Sequence, residues 1–174
     1  MAQRYRKRGL DETARRIVEF LETSGVEGAT VLEIGGGVGE IQIELLKRGA
    51  GRTVNLELSP AYEGEAQALL AEAGFADRVE RRQLDIAAAP DSVEPADAVV
   101  LNRVVCCYPD YERLLGAAAA HAGRLLVFSY PRRNPISRLW VAGQNLVFRV
   151  MGKEFRTFTH PPAAMLDEIG RAHV

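Results

Sequence analysis

Thr30-Val-Leu-Glu-Ile-Gly-Gly-Gly-Val-Gly39 decides the reading of this chain, because an apolar strand runs straight into a turn with glycine at every second position. Val31, Leu32 and Ile34 supply the strand. Gly35, Gly37 and Gly39 lack a Cβ, which permits positive φ and lets backbone N–H groups approach a bound molecule closely. Ile41, Ile43, Leu45 and Leu46 follow in an amphipathic run, so the turn stands at a helix N-terminus with unpaired donors pointing outward. A dinucleotide fingerprint needs G-x-G-x-x-G. Counting from Gly35 reaches Gly37 and then Glu40, and counting from Gly37 reaches Gly39 and then Gln42, so that fingerprint fails.

Working outward, Arg52 to Leu58 reads as a second strand ending at Glu57-Leu58-Ser59-Pro60, where Ser59 can cap a helix and Pro60 can occupy its first turn. Glu57 at a strand tip is either a solvated acid or an acceptor for both hydroxyls of a ribose. Val79 to Leu84 reads as a third strand followed by Asp85-Ile86, and Ala96 to Leu101 as a fourth, buried one bounded by Pro95 and Asn102. Arg124 to Ser129 is a fifth. With a helix over about Asp11 to Thr23 ahead of them, regular strand–helix alternation predicts an α/β fold: a doubly wound, mostly parallel sheet with helices on both faces.

The acid-x-Gly-x-Gly-x-Gly pattern of Glu33, Gly35, Gly37 and Gly39 resembles the first motif of class I S-adenosylmethionine-dependent methyltransferases, and the resemblance extends over Val31 to Tyr130. It implies a Rossmann-like sheet in the order 3-2-1-4-5 and S-adenosylmethionine as cofactor. The glycine loop would pass beneath the methionine and ribose parts, with Glu33 near the cofactor's amino group and Glu57 on the ribose. Asp85 would recognise the adenine amine or simply cap a loop, with Ile86 against the ring; Leu58 and Asn102 complete the expected cofactor set. The loop Asn102 to Asp110 would face the departing methyl group, which makes Tyr108 a candidate catalytic residue. The tetrapeptide of amino-directed nucleic-acid methyltransferases is absent, since Arg103-Val104 follows Asn102. The loop is instead similar to that of small-molecule O- and C-methyltransferases of quinone and tetrapyrrole pathways, ending likewise in aromatic, Pro, Asp.

Composition fits one domain over residues 1–174: 47% of residues are apolar, enough for a substantial core. With 22 basic and 23 acidic side chains no global field recruits nucleic acid. The basic run Arg4, Arg6, Lys7, Arg8 reads as a frayed, solvated arm, with folding back over the cofactor or an anionic acceptor as the sharper alternative. No secretory signal and no run of about twenty apolar residues is visible, so a cytoplasmic protein without an integral membrane segment is expected. The two cysteines, Cys106 and Cys107, are adjacent and cannot staple distant segments; no metal-ligand spacing occurs, and no metal is expected. They read as small packing groups beside the methyl-transfer site, with a reactive thiol as the other reading.

Residues 131–160 are expected to carry substrate identity as a lid or substrate insertion. Ile136 to Met151 reads as a helix with a wide apolar face that lies on the sheet, closes over the cofactor, or rests on a membrane surface. His160, at the start of a last helix beginning with Pro161 or Pro162, is a candidate base for a hydroxyl acceptor or else a capping residue. His121 fits favourable charge placement at a helix C-terminus. The family sheet has two further strands, so the fold is expected to be C-terminally truncated. Glu168-Ile-Gly-Arg-Ala-His-Val174 is what a common sequencing adapter encodes in frame, so residues 168–174 are expected to be non-native and without a packing partner. The expected function is methyl transfer to a small, lipophilic or aromatic acceptor. The alternatives are a catalytically inactive S-adenosylmethionine-binding module and a membrane-surface protein with peripheral contact.

Overall fold

A computed structural model describes residues 1–131, 143, 147, 151, 157, 158 and 160–172. Apart from 143, 147 and 151, the helix expected over Ile136–Met151 falls outside the described residues, as do most of the expected lid over 131–160 and residues 173 and 174. The elements are α1 (Ala2–Arg8), α2 (Glu12–Thr23), β1 (Thr30–Ile34), α3 (Glu40–Lys47), β2 (Arg52–Leu56), α4 (Glu63–Ala73), β3 (Val79–Arg82), β4 (Ala96–Leu101), α5 (Tyr111–Ala120), β5 (Ala122–Phe128) and α6 (Pro162–Ala172). The strands form one parallel sheet in the order β3-β2-β1-β4-β5.

The central strands β1 and β4 read as near-continuous apolar runs because helices cover both faces. Along β1 and β4, Leu32, Ile34, Val99 and Leu101 face one core with Leu114 and Leu115 of α5, whereas Val31, Ala98 and Val100 face a second with Ile17, Leu21, Ile41 and Leu45 of α2 and α3. Asp11 caps α2, its side chain accepting from the Ala14 N–H at 3.0 Å. Ile34 pairs with Leu56 and Leu101 with Phe128, so the strand ends release Gly35, Glu57 and Asn102 on the same side of the sheet. Beyond Leu56 the chain turns back: the Glu57 carboxylate accepts the Ser59 N–H at 2.8 Å. Ser59 therefore takes part through its backbone; its side chain does not cap the short turn Pro60–Tyr62 that precedes α4.

The basic N-terminus is not a frayed arm. It forms α1, with Ala2 fully buried beside Leu69 and Leu70, Arg6 bidentate on Glu72, and Tyr5 donating to Glu44 at 2.7 Å. At the other end α6 buries Met165, and Ile169 packs against the same core as α5, so the segment expected to lack a packing partner has one.

Candidate functional site

A cavity of about 580 Å³ opens at the carboxyl ends of β1, β2 and β4. Its floor is the glycine loop, where Gly35, Gly37 and Gly39 all adopt positive φ (68°, 55° and 83°), as the alternating spacing requires. Gly36, which carries no such φ, is held to glycine by space: a Cβ there would lie 2.6 Å from the Glu33 carboxyl and from Asn55 Nδ2. Gly37 is clamped on both sides. Its N–H donates to Glu57 Oε2 at 2.9 Å, and its carbonyl accepts from Arg81 Nη2 at 2.9 Å. Arg81 is fixed by Glu63 through Nε at 2.9 Å, while its Nη1 is buried without a partner.

Of the residues expected from the sequence, Glu33, Gly35, Gly37, Glu57, Leu58, Asp85, Ile86, Asn102 and Tyr108 line this cavity. Gly39 lies just beyond as the N-cap of α3. Glu33 is 2% exposed, and its Oε2 has no hydrogen-bond partner. Burial pushes its pKa up to about 8, with nearby Glu40 raising it further and Arg81 opposing. Glu57 spends one lone pair of each oxygen on the Gly37 and Ser59 amides, which leaves lone pairs for further donors. Asp85 accepts from the Ala87 N–H at 3.0 Å and from the Tyr108 hydroxyl at 2.9 Å. Burial and that bond to Asp85 push the Tyr108 pKa up to about 12. Tyr108 is therefore a neutral donor at physiological pH. Asn102 Oδ1 accepts the Ser129 hydroxyl at 2.9 Å, and Ser129 Oγ in turn accepts the Arg103 N–H.

His160 is not brought to the cavity. Its Nε2 donates to the Tyr108 carbonyl at 3.1 Å, and its ring stacks on Phe158 and lies 4.4 Å from that of Tyr111, so it braces the loop after β4 from behind. His121 caps α5 as expected for a helix C-terminus, but both its nitrogens also face carbonyls: Ala117 at one side, Pro90 and Val93 at the other.

Several cavity residues escaped sequence reading. Met1, Asp11, Glu40 and Arg103 line it, and Arg4 bridges Glu40 (2.8 Å) and Asp11 (3.4 Å), which Arg103 also meets at 3.0 Å. Nothing in the spacing of Met1 and Asp11 marks them, because α1 and the start of α2 reach the cavity from outside the strand–helix units; Glu40 heads α3, and Arg103 lies in the loop after β4 already expected to face the methyl group. Asn55 and Gln42, fully buried and 3.3 Å apart, carried a signal: each is a polar residue inside an apolar run. No group of three or more metal-ligating side chains converges among the described residues. Likewise, no described helix is long and apolar enough to cross a membrane.

A family model for a methyltransferase domain matches residues 3–167, and the chain belongs to that family, the class I S-adenosylmethionine-dependent methyltransferases. No curated protein matches the sequence. Among solved structures, magnesium protoporphyrin IX methyltransferase from Synechocystis PCC 6803 with bound S-adenosylhomocysteine superposes with a TM-score of 0.72 at 21% identity, over 92% of this chain and 71% of that one. An O-methyltransferase family protein from Burkholderia thailandensis gives 0.72 at 20%, over 93% and 51%. Mitomycin 7-O-methyltransferase gives 0.61 at 25%, over 91% and 50%. This chain thus spans about half the length of two of these three.

Proposed function

We propose that this chain transfers the methyl group of S-adenosylmethionine to a small acceptor of lipophilic or aromatic character. The observation that carries the reading is Glu33: a buried carboxyl with an orphaned oxygen, under a glycine cradle, facing a cavity large enough for a nucleoside and its amino-acid tail. An ammonium group is the partner such an oxygen lacks. Glu57 is poised at the cavity wall to take two ribose hydroxyls with its remaining lone pairs. Asp85, oriented by Ala87 and Tyr108, suits an exocyclic amine, with Ile86 and Leu58 supplying apolar contact.

The bound cofactor would supply an electrophilic methyl on a sulfonium, displaced in line. The protein's task is then to hold the acceptor about 3 Å from that carbon in a water-poor cavity. Arg103, Val104, Cys107 and Tyr108 form the wall where an acceptor would lie. Tyr108 donates its one hydroxyl proton to Asp85, so toward an acceptor it is a positioning group that offers oxygen lone pairs and ring contact. With His160 behind the wall, no base is assigned, and an acceptor that ionises readily fits best. Names among the similar structures, including an O-methyltransferase family 2 protein from Planctomyces limnophilus in complex with apigenin, support small oxygen acceptors.

Calorimetry with S-adenosylhomocysteine, followed by a labelled-methyl assay over phenols, flavonoids and porphyrin carboxylates, tests the proposal. Binding together with turnover on one class is expected. Binding without turnover on any would favour a catalytically inactive cofactor-binding module, and no binding would remove the cavity assignment.

A further inference from the structure

The turn after β4 holds two thiols in unusual register. Arg103 is the one described non-glycine residue with positive φ, at 62°, and this bend turns its carbonyl toward the 3₁₀ turn Val105–Cys107. Cys106 Sγ and Cys107 Sγ lie 3.5 Å and 3.6 Å from that oxygen, and 3.6 Å from each other. Neighbouring side chains on an extended strand would point to opposite faces; here the turn gathers them on one acceptor. Both are free thiols, Cys107 is exposed, and Cys107 lines the cofactor cavity. Two thiolates sharing one tetrahedral centre at bond lengths of about 2.3 Å stand about 3.8 Å apart, so the pair is nearly set to bridge one atom. A zinc ion would need further ligands, and no third His, Cys, Asp or Glu joins the pair among the described residues. A centre that is thiophilic, wants two sulfurs and brings its own third substituent meets both conditions.

We propose that Cys106 and Cys107 form a dithiol site that captures a trivalent organoarsenical in one two-sulfur chelate at the wall of the cofactor cavity. Two arsenic–sulfur bonds form, the arsenic–oxygen bonds break, and the two thiol protons leave with that oxygen as water. Nothing is oxidised or reduced. The hydrogen bond from Cys107 lowers the Cys106 thiol pKa, against the effect of burial, which favours Cys106 as the first sulfur to attack. The second closes the ring intramolecularly, which is what separates a chelate from two single adducts. The organic substituent then stands beside Tyr108 and occupies cavity space; this last step rests on the cofactor assignment above.

Phenylarsine oxide is the probe. Intact-protein mass spectrometry should show one adduct per chain with loss of one water, both thiols blocked to a chromogenic disulfide, persistence in excess 2-mercaptoethanol and release by dithiothreitol. Cys106→Ser and Cys107→Ser, checked for folding by circular dichroism, should each weaken monothiol-resistant capture by a hundredfold or more. Two adducts per chain, ready stripping by 2-mercaptoethanol, or undiminished resistant capture in either folded variant would overturn the chelate. S-adenosylhomocysteine affinity should fall at least tenfold in the arsenical adduct. An intact chelate with unchanged affinity would overturn its placement at the cavity, whereas failure of the unmodified protein to bind S-adenosylhomocysteine would count against the cofactor reading and leave the chelate standing.

Discussion

Glu33 and Glu57 are both acids at strand tips, yet they behave differently because of what surrounds them. Glu57 is pinned by two backbone amides and keeps its carboxylate toward the cavity. Replacing it with Ala should weaken S-adenosylhomocysteine binding about tenfold to a hundredfold, the worth of one or two charge-assisted hydrogen bonds, with little change in the far-ultraviolet spectrum. Unaltered affinity by calorimetry would take Glu57 out of the site. Glu33, with its pKa pushed up to about 8, is mostly protonated at pH 7 in the free protein. A cofactor ammonium beside it favours the ionised form, so binding at pH 7 should release close to one proton, seen as a binding enthalpy that varies with buffer ionisation enthalpy. Affinity should then rise about tenfold per pH unit toward pH 8 and level off above. Because the native pKa exceeds that of the unfolded chain, stability contributed by the neutral form is complete below about pH 4.5 and is lost as pH rises to about 8. Glu33→Gln should flatten both profiles; proton release unchanged in that variant would exclude Glu33 as the source.

At the scale of elements, the alternating strands, α2 and the start of α6 are legible in the sequence, and α1 is not. The glycine loop, the strands and the acids at their tips follow from period, turn chemistry and spacing, which are local. Helix α1 is hidden in the sequence because Arg4, Arg6, Lys7 and Arg8 look like a solvated arm until the partners of Arg4 and Arg6 are known. Those partners, Glu40, Glu72 and Asp11, lie in other helices or loops, and only the fold brings them into range. The same holds for Arg81, whose β-strand neighbours give no hint that it grips the Gly37 carbonyl. Arg4 offers a test of how α1 is held. Glu40 is buried at the start of α3 with one oxygen unpartnered; burial raises its pKa and Arg4 opposes that rise. Arg4→Ala should remove a counter-charge from Glu40, destabilising the protein by about 1 kcal/mol at pH 8 and by less at pH 5, because lower pH favours the neutral form of Glu40, which needs no counter-charge. Urea denaturation at the two pH values reads the difference, and an equal loss at both would mean that Arg4 acts through packing alone.

For the whole molecule, two cores share one sheet, and their closure is unequal. One face is sealed by α2 and α3. The opposite face is covered near β4 by α5, and α5 is in turn packed by α6, which sends Met165 fully into the core and lays Ile169 along its margin. Residues 168–172 thus continue a docked helix, although their sequence alone resembles an adapter translation. A helix turn that buries an apolar side chain contributes to stability whatever its origin, so the two readings differ in a measurable way. Met165→Ala should cost about 2 to 5 kcal/mol, as expected for a fully buried side chain. Ile169→Ala, at a half-buried position, should cost about 1 kcal/mol, and deletion of residues 168–174 at least as much, since it also shortens the helix that holds Met165. Chemical denaturation of the three variants against the full chain measures this order. A deletion that leaves the denaturation midpoint unmoved, while Met165→Ala lowers it, would show that α6 is anchored by its first two turns and that its end adds nothing.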